Sequence, residues 1–436
     1  MRPLQTLTLL STLLCAALPA AHAAKLPHMD GQIHEGVATC AGANCHGANV
    51  ARADSPVLQN EYYLWTREDR HAQAYKSLLN ETSKRIGQRL GLVPQESPRC
   101  LSCHSDYVPE TQRGRRFRLS DGVGCEACHG GSGNWLESHV ELGATHAQNL
   151  QAGLYPVDQP LERAAVCLNC HLGGPDHPID HEIMGAGHPP LGFELDTFTA
   201  IQPAHYALDA DYAERKGIPS SLQVWAAGQM AASERFLVEL ASKRAEDGLF
   251  PELVFFDCYA CHHRLSAERW DADTAPGLGV GKVRLNGVNL LLVREILEVI
   301  DPATAKQWSS SLRALHQASQ LSLPRMQSAA RDGATLLRAA IDKHGRRAYS
   351  NKEAWALLDS LSRTAQRTPD FSLAEQSAMA LEAVFLTLDQ AGQLSASQSK
   401  RIRSALDKSY DYTNADKDYS VSGFSSAMSE LRKALP

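Results

Sequence analysis

Hydrophobic and polar positions divide the chain into three stretches of different character. An apolar run over residues 4–18 begins the sequence. The middle part, as far as about residue 272, is rich in Gly, Pro and polar residues and has few regular apolar repeats. Beyond it, apolar residues recur at the spacing of one helix face. This pattern predicts a mainly α-helical protein, with short helices and long loops in the middle part and an α-helical bundle after it.

Individual helices and their N-termini can be predicted from the same pattern. Apolar residues at helical spacing predict helices over residues 62–79, 220–245, 283–300 and 371–391. Three N-termini carry capping signals, namely Asp301 before Pro302 and the capping boxes Ser350-x-x-Glu353 and Ser372-x-x-Glu375. These signals divide the C-terminal part into several amphipathic helices.

The N-terminal stretch has the features of a secretory signal. Arg2 supplies the positive charge, and an apolar run over residues 4–18 follows it. Ala21 and Ala23 then place small residues where signal peptidase cleaves. We expect a signal peptide over residues 1–23 and a periplasmic mature chain with no membrane span, with domains at residues 24–272 and 273–436. An uncleaved anchor is the alternative, but the run is short for a bilayer.

The charge balance limits the possible partners. The chain has 43 Lys and Arg residues against 49 Asp and Glu residues, with a net charge of −6. A protein that binds nucleic acid needs a basic surface to neutralise phosphates, so the composition argues against this class. A mildly acidic surface is compatible with docking to other redox proteins.

The cysteines decide the chemistry. Of the eleven, Cys15 lies in the predicted signal, and the other ten form five close pairs, each followed at once by a histidine. Four pairs are C-x-x-C-H and the first is C-x4-C-H: Cys40/Cys45-His46, Cys100/Cys103-His104, Cys125/Cys128-His129, Cys167/Cys170-His171 and Cys258/Cys261-His262. C-x-x-C-H is the attachment signature of c-type haem, in which the thiols bind the porphyrin and the histidine binds the iron. Disulfides or zinc sites would not need a histidine after every pair. The sequence therefore predicts five covalent c-type haems.

A second axial ligand is expected for each iron. Methionine is scarce in the haem region, whereas histidine is concentrated there, which favours two histidines per iron. Sequence context ranks His71, His139 and His188 first as distal ligands, followed by His34, His146, His181 and His205. His263 is a weaker candidate, and His28 and His177 are expected to be solvated. Which of these histidines faces which motif stays open at this point.

The haem region resembles the cytochrome c554 family of multihaem cytochromes over about residues 40–205. The residues that carry the resemblance are Trp65 and His71-Ala-x-Ala, Cys100-Leu-Ser-Cys-His104, Gly122-Val-Gly-Cys-Glu-Ala-Cys-His-Gly130, and His139. The resemblance implies a largely α-helical domain with closely packed haem pairs that carries electrons in nitrogen-cycle respiration. It also implies one iron of the family's four without a distal ligand, which by order along the chain is the iron on His104. The fifth motif, the C-x4-C-H spacing and the C-terminal bundle depart from that family.

Two functions therefore stay open. The first is an electron carrier in which five haems pass electrons between redox partner proteins. The alternative is a haem oxidoreductase that acts on a small nitrogen or sulfur species, such as nitric oxide, nitrite or hydroxylamine, at an open iron on His104. The C-terminal helical domain carries no motif of its own, and we favour a structural cap over a docking or dimerisation surface.

Overall fold

The computed structural model of the chain describes most of the protein. The described residues are 25–53, 55, 57–174, 177, 179–246, 252–262, 278, 282–414 and 419–436. The predicted signal peptide, His263 and the predicted domain boundary near residue 272 lie outside them. Within this range the protein is mainly helical, and it contains isolated β-bridges but no β-strand. This confirms the predicted mainly α fold.

Helix length differs between the two parts of the chain. Helices before residue 220 have at most 12 residues, whereas those of the C-terminal part have 13 to 22. The α-helices of the described residues are α1 Val37–Cys40, α2 Glu61–Glu68, α3 Ala74–Ser77, α4 Glu81–Leu90, α5 Pro98–His104, α6 Cys125–His129, α7 His146–Ala152, α8 Pro160–His171, α9 His181–Gly185, α10 Leu195–Ile201, α11 Ala210–Lys216, α12 Ser221–Leu240, α13 Cys258–Cys261, α14 Val288–Ile300, α15 Pro302–Ser319, α16 Leu323–His344, α17 Asn351–Gln366, α18 Phe371–Gln390, α19 Ala396–Thr413 and α20 Val421–Ala434.

The single helix predicted over residues 62–79 is wrong, because the chain breaks there. Helix α2 ends at Glu68, and Asp69 takes an extended conformation with ψ 125°. The Asp69 side chain then accepts a hydrogen bond from the backbone N–H of His71 and caps a 3₁₀ turn. A short aspartate side chain competes with the helix for backbone donors, which explains the break. The break gives His71 its own orientation, separate from α2.

The capping predictions for the C-terminal helices are confirmed at two of three positions. Asp301 caps α15, with Pro302 at its first position, and Ser350 forms the predicted capping box of α17. The box predicted at Ser372 is wrong, because α18 starts at Phe371 and the Asp370 side chain accepts the N–H of Leu373. An aspartate one residue before the helix is as good a cap as a serine. The helix expected from residue 283 starts at Val288.

Helix α12 packs with both parts of the chain. One extended hydrophobic cluster contains buried residues of α12 and of helices α14–α20, from Leu222 to Ala434. The other face of α12 packs against α8 and α10, where Val224 and Ala232 join a small cluster with Leu168. The haem region has only one more such cluster, around Leu101, among the described residues. The apolar core of the described structure therefore lies almost entirely in the bundle.

In the part of the chain that the structure describes, every helix is too short or too polar to cross a bilayer.

Candidate haem sites

The motifs sit at the ends of short helices. Helices α5, α6 and α8 each end at the histidine of a C-x-x-C-H motif, and α13 spans the pair of the fifth motif. The first motif instead begins at the end of α1, and its wider loop continues to His46. None of the ten motif cysteines forms a disulfide. A helical turn therefore presents the thiol pair next to a histidine in four motifs, and a loop does so in the first.

Each motif histidine faces one other histidine across a gap. We number the sites 1 to 5 in the order of their motifs along the chain. The facing pairs are His46 with His139 at site 1, His104 with His188 at site 2, His129 with His205 at site 3, His171 with His71 at site 4 and His262 with His181 at site 5. In the five pairs the ring centroids lie 6.1 to 6.4 Å apart.

This separation fits one metal ion between two imidazoles. Metal–imidazole bonds are about 2 Å long, so two of them in line, plus roughly 1 Å from each nitrogen to its ring centre, hold the centres about 6 Å apart. His28 and His177 provide a contrast, because their ring centroids lie only 4.8 Å apart. The spacing at sites 1 to 5 thus distinguishes them from an ordinary histidine contact. Thiols and histidines together match the donor set of c-type haem.

Hydrogen bonds at the Nδ1 atoms orient several of these rings. Nδ1 of a paired histidine lies at hydrogen-bond distance from an oxygen in five cases: His46 from Glu61 Oε2 at 3.0 Å, His71 from Asp69 Oδ1 at 2.8 Å, His104 from the Ala74 carbonyl at 3.1 Å, His139 from the Leu136 carbonyl at 2.6 Å and His188 from the Pro189 carbonyl at 2.8 Å. When Nδ1–H donates, Nε2 keeps its lone pair for a metal. The two carboxylates, Glu61 and Asp69, are functional residues that sequence reasoning missed. The Asp-x-His spacing is the only sequence signal for the second of them.

Burial keeps the deepest paired histidines neutral. Burial, with a smaller contribution from His205, lowers the pKa of His129 to about 3. Burial, followed by His71, lowers the pKa of His171 to about 4. A neutral imidazole is the form that binds a metal, so these rings need no proton removed at neutral pH.

Two of the predicted distal ligands, His34 and His146, are not brought opposite a motif histidine in the described structure. His34 is fully buried, its Nδ1 lies 2.9 Å from Asp106 Oδ2, and its Nε2 lies 3.3 Å from the Pro27 carbonyl. Nε2 of His146 lies 3.3 Å from Asp158 Oδ1. Carboxylates rather than motif histidines therefore surround both rings. His71, His139, His181, His188 and His205 are the five predicted candidates that do face a motif.

Interactions between thiols of different motifs connect the first four sites in one order. The thiols of Cys40 and Cys125 are hydrogen-bonded, which joins sites 1 and 3. The thiols of Cys103 and Cys170 join sites 2 and 4 in the same way, and α5 packs against α8. The thiol of half-buried Cys128 lies close enough to Cys167 for an electrostatic interaction, which places site 3 beside site 4. The first four sites are thus arranged in the order 1–3–4–2.

Comparison with known proteins finds a match over the first three motifs. Residues 39–130 match the family described as cytochrome c554 and c-prime. This part of the chain resembles the cytochrome c554 family. The match contains the first three motifs, and the fourth and fifth motifs and the bundle lie beyond it. Neither a curated protein nor a solved structure matches the chain. The resemblance to the c554 family supports a c-type cytochrome with covalently bound haem that carries electrons.

Proposed function

We propose that the protein is a periplasmic electron carrier that holds five c-type haems, each with its iron between two histidines. The observation that carries the proposal is that all five motif histidines face a second histidine at one common distance. Two histidine ligands leave no iron position open to a substrate, which is the arrangement of electron transfer rather than of substrate chemistry. The predicted signal peptide, residues 1–23, supports export to the compartment where such haems are attached.

The thiols, histidines and carboxylates of each site would have different roles. When bound, each haem supplies a one-electron couple between ferric and ferrous iron. The thiol pair of the motif would hold the porphyrin, and the two facing histidines would bind the iron. Glu61 and Asp69 orient their histidines and increase the electron density that the rings donate. The order of the sites gives electrons a continuous path, and other redox proteins would exchange electrons with its ends.

The alternative function, an enzyme with an open iron at site 2, has no support from the described residues. His188 faces His104 with ring centroids 6.4 Å apart, against 6.1 to 6.3 Å in the pairs of the other sites. The Nδ1 atom of His188 lies 2.8 Å from the Pro189 carbonyl, which fixes the ring. Electron transfer at site 2 is therefore the simpler proposal.

The haem number is the first test. Purified protein from a host that attaches haem should contain five haems per chain by the pyridine haemochrome assay, and its intact mass should exceed that of the polypeptide accordingly. Replacing both cysteines of the C-x4-C-H motif, Cys40→Ala with Cys45→Ala, should reduce the number to four, because thioether capture needs the thiols. A count of four haems in the unaltered protein would mean that site 1 binds no haem. A protein without any haem would overturn the proposal.

A second test concerns the potential of site 4. Burial alone would raise the pKa of Asp69, but hydrogen bonds from His71 and Gln202 outweigh this effect and lower the pKa to about 2. The carboxylate is therefore charged at neutral pH. Asp69→Asn keeps an acceptor for His71 but removes the negative charge. Loss of this charge destabilises ferric iron relative to ferrous iron. We expect one of the five midpoint potentials to rise by about 60 mV, a tenfold change for one electron.

Spectroelectrochemical titration measures this shift, and the exposed pair of Asp211 with Arg215 offers the matched control. Asp211→Asn should leave all five potentials unchanged. Equal effects of the two substitutions, or none from Asp69→Asn, would contradict the role given to Asp69.

A further inference from the structure

Site 5 is attached to the haem region through site 2. Helix α9 begins at His181, the site 5 ligand, and the backbone N–H of His188, the site 2 ligand, bonds to the carbonyl of Ile183 in the same helix. One short helical segment thus carries a histidine for each of the two sites. Neither ligand can move far without moving the other.

An ion pair locks this segment onto the second motif. Arg99, the residue before Cys100, donates hydrogen bonds of 2.7 Å to both carboxylate oxygens of Asp180. It also donates one of 2.9 Å to Glu182. Asp180 caps α9 by accepting the N–H of Ile183. The helix with the site 5 ligand is therefore fixed to the helix that ends at His104.

The C-terminal bundle holds the other half of site 5. Asp257, directly before Cys258, accepts hydrogen bonds of 2.9 and 2.6 Å from Arg284, which also pairs with Asp370 at the start of α18. The backbone joins the same segments, since the N–H of Asp257 bonds to the Arg284 carbonyl at 3.0 Å. Both carboxylates are almost fully buried, so the arginine is needed to balance their charge.

Aromatic packing reinforces this attachment. Tyr259 lies between the two cysteines of the fifth motif, and it is buried. Its ring contacts Phe371 of α18 at 5.9 Å and Tyr419, just before α20, at 6.3 Å. The fifth motif is thus built on the bundle, whereas its facing histidine comes from the haem region.

Exposure of the cysteines agrees with site 5 as an end of the path. Cys258 and Cys261 are exposed, and so is Cys45 at site 1. The cysteines of sites 2, 3 and 4 are buried or half-buried. In the order 1–3–4–2–5 the exposed thiols belong to the two terminal sites.

We propose that site 5 is an added terminal electron-transfer site, joined to the path at site 2 and positioned by the C-terminal bundle through Arg284. The inference rests on the proposed electron-carrier function. The step is the transfer of one electron between sites 2 and 5, so that one site is oxidised as the other is reduced and no bond breaks. A redox protein docked at site 5 supplies or removes that electron.

The position of site 5 is tested through the signal of site 2. In a His188→Ala background, where the iron of site 2 is expected to be high-spin, its EPR signal can be followed in a redox titration. Removing site 5 with Cys258→Ala and Cys261→Ala should lower the midpoint potential of this signal, because a neighbouring ferric site favours an added electron. Removing site 1 with Cys40→Ala and Cys45→Ala is the matched control and should leave the midpoint unchanged. A larger shift from the site 1 variant, or none from the site 5 variant, would overturn the order.

The role of Arg284 is tested by haem content and potential together. Arg284→Ala should reduce the haem number from five to four or shift the potential of one low-spin haem, while the other four haems keep theirs. Arg284→Lys keeps the charge and should restore the fifth haem. Arg338→Ala, at an exposed arginine of the bundle paired with Glu234, is the control and should change nothing.

The outcomes separate this inference from the proposed function. Five haems with unchanged potentials in Arg284→Ala would overturn the role of the bundle, although the carrier function would stand. If Arg284→Ala does not accumulate, Asp370→Asn provides a milder change of the same cluster and should shift the potential of the same single haem. An unaltered protein without any haem would instead overturn the proposed function.

Discussion

Without covalent haem attachment, the region before about residue 220 should lose its structure, while the bundle of α12 and α14–α20 stays folded. The bundle has an extended apolar core, in which Trp225 and Trp308 are at most 1% exposed. The two apolar clusters of the haem region contain five and three buried side chains, two of the five supplied by α12. These clusters and the scattered buried side chains around them cannot offset the conformational entropy of about 200 residues at roughly 1–2 kcal/mol each. The haems and their iron bonds must supply the missing stability.

Limited proteolysis measures this difference directly. The chain without its signal peptide, made in a compartment that does not attach haem, should be digested to a resistant C-terminal fragment that begins near Ser220. Mass spectrometry identifies its first residue, and circular dichroism should show that the fragment is helical and unfolds cooperatively.

The holoprotein under the same digestion is the control, and both its haem region and its bundle should resist cleavage. A haem-free chain that resists cleavage before residue 220 would show that the polypeptide alone forms the haem region. Complete digestion of the haem-free chain would show instead that the bundle depends on the haems.

Loss of one distal histidine should change the spin state of one iron in five. Under the proposed ligation, in which two imidazoles bind every iron, the unaltered ferric protein should show only low-spin EPR signals. In His188→Ala the iron of site 2 keeps only His104, so one high-spin iron per chain should appear. This iron should also bind cyanide or carbon monoxide, which the unaltered protein should not do.

His146→Ala is the control for this experiment. Sequence context ranks His146 equally with His181 and His205 as a candidate distal ligand. Its ring, however, lies beside Asp158 rather than opposite a motif histidine. All five irons should therefore remain low-spin in this variant. An unchanged spectrum in His188→Ala would reject the site 2 pair, and a high-spin signal in the unaltered protein would restore the enzyme hypothesis.

Much of the local structure could be predicted from the sequence, because the responsible interactions join residues a few positions apart. The cysteines and the histidine of each motif lie within seven residues of one another, so spacing alone indicates which groups would meet a porphyrin. The capping box at Ser350 is equally local and is confirmed. At α18 two caps compete within three residues, and the structure has Asp370 rather than Ser372. At Asp69 a side-chain cap outweighs the apolar pattern, so the predicted long helix divides.

The pairing of histidines is what only the tertiary structure decided. His71 faces His171 and His205 faces His129, across separations of 100 and 76 residues that no local rule connects. Similarly, Asp257 and Asp370 are 113 residues apart in the sequence, and in the structure both pair with Arg284 of a third segment. The sequence by itself predicted five haem-binding thiol pairs with their histidines, and it determined that a helical bundle follows. Packing determined which second histidine approaches each motif histidine, since that choice depends on how distant segments of the chain fold together.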